Sequence, residues 1–378
     1  MSHLKFCGVI KSLIVLTIFQ IVHISQPLQA KTRPLPPDSR AALFKKAQKL
    51  DNGMNISWLE QTWKKDMLSD STITDNDFVL LKKLGFKTIR LPVAFTWFEN
   101  KNIPLEEVLN RVTEVWNECK KHDLNLIIDY HAGNLKNDNY SAETPKIIDL
   151  WQKVARKYFA ESDDKLFFEI YNEPTVSQQI WKDAAYNIVQ GIRKVDKKRT
   201  LLVGATNYNS IYELSKFVRL ADENIIYSFH FYEPFLFTHQ GAGWMGDPSA
   251  TIGVAFPYSV ENFPTINPKT KSTYGESDYN KYPRDGNEQS INDKLKGYAK
   301  SWSDKYYVPV VCTEYGAFNE HADLDSRCRY IKATRNALKA LKIPGIIWEY
   351  NGNFSLFSGA PSLDNLPDCM KDAIDYHN

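Results

Sequence analysis

Residues 166–175 read Leu-Phe-Phe-Glu-Ile-Tyr-Asn-Glu-Pro-Thr, an apolar and aromatic run that ends on a glutamate and a proline. Burying an unpaired carboxylate is expensive. A strand of this composition therefore makes sense only if it delivers Glu173 to the rim of a cleft. The run is one of eight with the same character. The others are Gly53–Ser57, Phe86–Val93, Leu124–His131, Thr200–Asn207, Ile225–Tyr232, Val308–Ala317 and Gly345–Asn351. Amphipathic, helix-like segments alternate with them, among them DNDFVLLKKLG, PLEEVLNRVTEVWNECKKH, PKIIDLWQKVARKYF and QQIWKDAAYNIVQGIRKV. Strands apolar enough to be covered on both faces, each followed by a helix, predict a parallel sheet closed into a single-domain α/β (β/α)8 (TIM) barrel over residues 41–378. An open doubly wound sheet competes with it, but no G-x-G-x-x-G follows the first strand.

In such a barrel the chemistry gathers at the C-terminal strand ends. Those positions carry Arg90, His131, Asn172, Glu173, His230, Tyr232, Glu314 and Trp348. Glu173 and Glu314 lie on the fourth and seventh strands, across the barrel from each other. Two carboxyls about 5 to 5.5 Å apart can attack one glycosidic bond from both sides, one as nucleophile and one as proton donor. Glu169, four residues before Glu173, reads as a deeper, hydrogen-bonded barrel residue with no catalytic part.

Asn-Glu-Pro after strand four, Thr-Glu-Tyr-Gly on strand seven, Gly-Phe-Lys-Thr-Ile-Arg-Leu-Pro-Val at strand two and His-Phe-Tyr at strand six together resemble family 5 glycoside hydrolases. The resemblance runs from about Gly53 to Asn353. It implies Glu173 as acid/base, Glu314 as nucleophile, Asn172 on the sugar 2-hydroxyl, and Arg90 and Tyr232 as donors to the nucleophile. His131, His230 and Trp348 would complete the floor. It also implies a polysaccharide or oligosaccharide substrate, no cofactor and no metal. An endo-β-1,4-glucanase is the leading expectation, with β-mannanase, β-1,3-glucanase and exo-acting glucosidase left open.

Composition agrees in outline. With 47 Lys and Arg against 45 Asp and Glu the formal charge is +2, too small a field to argue for nucleic acid or anionic lipid. Aromatics make up 13%, which suits a surface that grips flat sugar faces. Trp58, Trp97, Trp181, Trp244 and Phe354 are candidate stacking residues. Trp244 is favoured because glycines flank it in the long stretch from Glu233 to about Gln289, expected to lie over the barrel mouth.

Two other function classes stay in view. Asp129, His131 and His230 offer a possible zinc set, although no clustered ligand spacing accompanies them. A non-catalytic glycan-binding barrel would be expected to lack one of the two glutamates.

Residues 1–30, with Lys5 and Lys11 before a short apolar run and QPLQA before Lys31, read as a signal peptide. Residues 31–40, KTRPLPPDSR, read as a linker or loose arm. The mature chain is expected to be secreted or periplasmic, monomeric and free of membrane segments. Of its four cysteines, Cys328 and Cys369 are the pair first expected to bond, Cys119 and Cys312 being the others. Asn55, Asn139 and Asn353 head N-x-S sequons, but a glycan at Asn55 or Asn353 would block the site.

Overall fold

A computed structural model describes residues 37–60, 68 and 73–377. The expected signal peptide and the first part of the arm lie outside the described residues. Eight parallel strands close into a barrel in sequence order. They are β1 (Gly53–Asn55), β2 (Thr88–Val93), β3 (Asn125–Tyr130), β4 (Leu166–Glu169), β5 (Leu201–Val203), β6 (Ile225–His230), β7 (Val310–Tyr315) and β8 (Gly345–Ile347). Every residue of these strands is buried, the outcome expected when helices cover the outside and side chains fill the inside.

Several strands are shorter than the apolar runs that announce them. The run from Leu166 to Pro174 leaves regular pairing after Glu169. From there Asn172 N–H donates to Tyr130 C=O, and the chain bends across the barrel rim.

The barrel is filled in layers. Ile127, Phe167, Leu202, Ile226, Val311 and Ile346 form an apolar layer closed from below by Leu43, Ala47 and Leu50. Leu43 and Ala47 belong to a helix, Pro37–Lys49, and Leu50 directly follows it. The sequence was expected to run as a loose arm to residue 40, yet the helix opens at Pro37, where a proline's missing N–H costs nothing. Arg40 fixes it by donating to the carbonyls of Tyr306 and Tyr307 and to Glu223.

Two residues further along β3, β4, β6 and β7 the inward positions become polar, with Asp129, Glu169, Ser228 and Thr313, and these are buried together with Asn55 of β1 and Arg90 of β2. This is the period-2 alternation of a strand, with the character of the layer switched as the mouth approaches.

The stretch after β6 is not a featureless loop. It holds short turns at Gly243–Met245, Asp247–Ser249 and Val260–Asn262 and a full helix, Tyr274–Asp285. Its polar composition and internal Pro283 concealed that helix. Among the described residues no helix is long and apolar enough to cross a membrane. Cys328 and Cys369 form a disulfide, while Cys119 and Cys312 are free and buried.

Candidate active site

Arg90 is the centre of the polar layer. Its Nε donates to Glu169 at 2.6 Å, one terminal nitrogen donates to Glu314 at 2.7 Å and Asn55 at 2.9 Å, and the other to Asn172 at 2.7 Å. Asp129 stands 3.1 Å away. The guanidinium is wholly buried, and only several carboxylates around it offset the desolvation of such a charge. Glu169 is the deeper member, also receiving bonds from Ser228 (3.0 Å) and Thr313 (3.4 Å). This is the hydrogen-bonded barrel role expected of it.

Glu314 reaches the cleft through an irregularity in β7. Phe229 pairs with Cys312 but His230 pairs with Glu314, and on the other side Cys312 pairs with Gly345 but Tyr315 with Ile347. One extra residue is thus inserted relative to both neighbours, as in a β-bulge. Strict alternation cannot turn two consecutive side chains inward. Here Thr313 bonds Glu169 inside the barrel while Glu314 bonds Arg90 and Tyr232 inside it as well. The Tyr232 hydroxyl donates to Glu314 Oε2 at 2.8 Å, so both carboxylate oxygens act as acceptors.

Glu173 lies opposite. Its Oε1 is 2.8 Å from His230 Nδ1, which is itself 3.4 Å from Glu314 Oε2. An oxygen of each glutamate and a ring nitrogen of His230 all fall within 4.8 Å of one another. Glu173 keeps 32% of its side chain exposed against 5% for Glu314. It is therefore the carboxyl facing the opening. Burial of its carboxyl beneath the rim pushes the Glu173 pKa up to about 7. His131 and Arg90 pull it down, and the anion that adds to the rise is Glu169.

Burial lowers the pKa of both His131 and His230 to about 4, so they are neutral imidazoles at ordinary pH. His131 Nδ1 lies 2.7 Å from Asp129 Oδ2 and its Nε2 3.4 Å from Asn172 Nδ2. Because Asn172 Oδ1 accepts from Arg90, its amide hydrogens face the histidine and the cleft. The His131 ring also stacks on Trp348, centroids 5.8 Å apart and planes 9° apart, and Trp348 remains half-buried.

Trp244 lies 58% exposed, edge-on to Phe318 at 5.0 Å. With Phe354 and Tyr232 it builds an aromatic wall beside Trp348. The other aromatic candidates divide. Trp181 is fully buried and donates its indole N–H to Gly204 C=O, so it belongs to the core. Trp58 is buried beneath the Arg111 guanidinium, while Trp97 is only partly buried.

The proposed zinc trio is not assembled as ligands. Asp129 and His131 engage each other, with Arg90 beside the same oxygen. Among the described residues, the groups with ligand-like spacing are Glu173, His230 and Glu314, and the more exposed Asp75, Glu118 and His122. In the second group Lys121 already neutralises Asp75.

Sequence reasoning missed two carboxyls. Glu60, after the 3-10 turn Ser57–Leu59, has its pKa pushed up to about 8 by burial, then by Glu349 and Glu314. Glu349 follows Trp348 and is buried, its carboxylate filling the space where a Gly352 side chain would be. Glu60 lies beyond the end of its strand, after the 3-10 turn, and Glu349 directly follows Trp348.

A family model for cellulase (glycosyl hydrolase family 5) matches residues 47–354. Endoglucanase 3 of Fibrobacter succinogenes is 32% identical over 86% of this chain, which spans 53% of that relative's length. Endoglucanase C of Acetivibrio thermocellus is 30% identical over 79% of this chain and 90% of its own. A crystal structure of a hyperthermophilic endo-β-1,4-glucanase in complex with substrate superposes with a TM-score of 0.71, at 25% identity, over 88% of this chain and 98% of the other. Matched along most of its length, and carrying paired glutamates at the rim of a closed barrel, the chain belongs to the cellulase family, glycosyl hydrolase family 5.

Proposed function

We propose that the protein is a retaining endo-β-1,4-glucanase, with Glu314 as nucleophile and Glu173 as acid/base. The observation that carries this reading is the approach of Glu173 and Glu314 to within 4.8 Å around His230, a spacing that leaves no room for a water between Glu314 and the anomeric carbon. Glu314, its oxygens held by Arg90 and Tyr232, attacks the anomeric carbon as the glycosidic C–O bond breaks. Glu173, protonated because burial raises its pKa to about 7, gives its proton to the departing oxygen. A glycosyl ester on Glu314 results. Glu173, now a carboxylate, removes a proton from water, which attacks the same carbon and releases Glu314 with the original configuration restored.

Asn172 presents its amide hydrogens to the 2-hydroxyl of the reacting sugar, and Trp348 lies flat beneath that ring on its His131 support. Trp244 extends the apolar wall. The family relationship and the endoglucanase names of the relatives support β-1,4-glucan as substrate. The same proposal includes export by the N-terminal segment, a secreted or periplasmic location and action as a monomer. The Cys328–Cys369 disulfide supports an oxidising compartment.

The test is hydrolysis of a soluble β-1,4-glucan, with product configuration followed by NMR. Wild type is expected to release β-configured ends first, and Glu173→Gln and Glu314→Gln to lose nearly all turnover. Initial α-configured products, or substantial activity in either variant, would overturn the assignment.

A further inference from the structure

The two rim glutamates are bridged by a ring nitrogen, and the three donor atoms have the spacing of metal ligands. Glu173 Oε1 lies 2.8 Å and Glu314 Oε2 3.4 Å from His230 Nδ1, with all three atoms within 4.8 Å of one another. Zinc–oxygen and zinc–nitrogen bonds of about 2.0–2.2 Å put the ligand atoms of a tetrahedral ion roughly 3.4 Å apart. The Glu314–His230 edge already has that length. Only the Glu173–His230 contact must open, by roughly 0.6 Å, and Glu173 is the most exposed of the three. Two carboxylates and one imidazole leave a fourth position free on the side of the cleft, as at an accessible zinc.

Charge favours a cation here. Arg90 pairs with Asp129, Glu169 and Glu314, so one guanidinium faces three carboxyls before Glu173 is added. Among the described residues no lysine or arginine pairs with Glu173, whose partner is His230. The other clusters differ on this point. Lys121 Nζ stands 2.6 Å from Asp75 and 3.5 Å from Glu118, where an ion would go, and Arg90 sits on the Asp129 oxygen that meets His131. Glu314 keeps donor capacity, because Arg90 takes Oε1 and the Tyr232 hydroxyl takes one lone pair of Oε2. His230 is held less firmly than a resident metal's ligand. Its Nε2 is buried and has no hydrogen-bond partner, whereas anchoring of the second ring nitrogen ordinarily adds about 10–100-fold in affinity.

We infer that Glu173, His230 and Glu314 form an exchangeable, inhibitory site for a zinc-like divalent transition-metal ion, which competes with the substrate for both carboxyls. The inhibition rests on the glycosidase reading, and the binding does not. Imidazole with carboxylate suits zinc and its first-row neighbours, whereas magnesium and calcium favour oxygen alone. Ligation takes a lone pair from Glu173 Oε1 and from His230 Nδ1. The proton held in their 2.8 Å contact therefore leaves it, and the ring keeps its own proton on Nε2. The ion withdraws nucleophile and acid/base together. It is no cofactor, since no step of the hydrolysis passes through it.

The experiment titrates zinc chloride into the untagged full chain by calorimetry and follows initial rates on a soluble β-1,4-glucan over the same range. Wild type is expected to bind zinc and to show a raised KM at unchanged kcat, reversed by EDTA, while magnesium chloride does neither. His122→Gln disables the Asp75 cluster and should be inhibited like wild type, and in that background the active-site ion is titrated alone. There Glu173→Gln and His230→Ala each remove a ligand and should weaken binding by at least about tenfold. Glu173→Gln is an isosteric exchange near the rim, so it reports even where His230→Ala fails to fold. No zinc binding, unchanged affinity in Glu173→Gln, relief of inhibition in His122→Gln, or a lowered kcat at constant KM overturns the site. A wild type inert toward the glucan overturns the glycosidase reading, and the calorimetry still decides whether zinc binds through Glu173.

Discussion

His230 Nδ1 lies 2.8 Å from Glu173 Oε1, and because the imidazole is neutral the contact brings no positive charge to the acid. Glu173 therefore keeps the pKa near 7 that burial gives it. As the proposed proton donor it acts in its protonated form. We expect kcat/KM for a β-glucan to fall as pH rises through about 7. The measurement is a pH–rate profile with a natural sugar leaving group. A profile still flat at pH 8 would separate Glu173 from the proton transfer.

Stability should carry its own pH signature. Asp129, Glu173 and Glu60 have pKa values pushed up to about 7, 7 and 8. Each stabilises the fold fully below its unfolded value and loses that contribution as pH rises through the folded one. His131, His230 and His239 are pushed down by burial to about 4, 4 and 3. Their contribution is complete above the unfolded value and fades as pH falls through the folded one. Between about pH 4.5 and 6.5 the two sets oppose each other, whereas above about 6.5 only the carboxyls still titrate. Melting curves should accordingly be nearly level up to about pH 6.5 and decline toward 8, with a shallower decline in Glu173→Gln.

Removing Arg90 strands three buried carboxyls, Asp129, Glu169 and Glu314. Breaking one side of a buried ion cluster costs about 3–5 kcal/mol. Arg90→Ala should lower unfolding stability by about that much in urea denaturation. Arg90→Lys should not rescue activity, because a single ammonium cannot reproduce the forked contacts to Glu169, Glu314, Asn55 and Asn172.

Gly316 offers a test of the floor without touching any acid. A side chain there would meet the Trp348 carbonyl oxygen at 2.1 Å and the Phe354 ring at 3.3 Å. Backbone cannot yield as a flexible side-chain end can, so Gly316→Ala should displace Trp348. A displacement near 1 Å is enough for a loss of about a hundredfold in kcat/KM. Circular dichroism should show the barrel retained, and an unaltered rate would mean that Trp348 does not position the sugar.

Much of this architecture could be read from residue order. Every strand lies within its apolar run because burial on both faces leaves a continuous signal, and the gathering of Arg90, Glu173 and Glu314 at one rim follows from their places at the strand ends. The inward turn of Glu314 was not legible. Alternation along Val310–Tyr315 allows either Thr313 or Glu314 to face in, and only the register shift against both neighbours lets both do so. The Pro37–Lys49 helix was hidden by prolines that mark a helix start as readily as a linker. Glu60 and Glu349 belong to the site through a meeting of β1 and β8 across the barrel seam, which local pattern does not encode.

The sequon at Asn55 acquires meaning from the barrel around it. In the finished protein its amide is inaccessible, donating to the carbonyls of Thr313 and Ile347 while its oxygen receives Arg90. An oligosaccharyltransferase meets a nascent chain before the seam is sewn. A glycan attached at that moment would have to be housed between β1 and β8, where not even a water-sized gap is available to this side chain. The choice of a production host that does not modify asparagine thus decides whether this barrel can close at all.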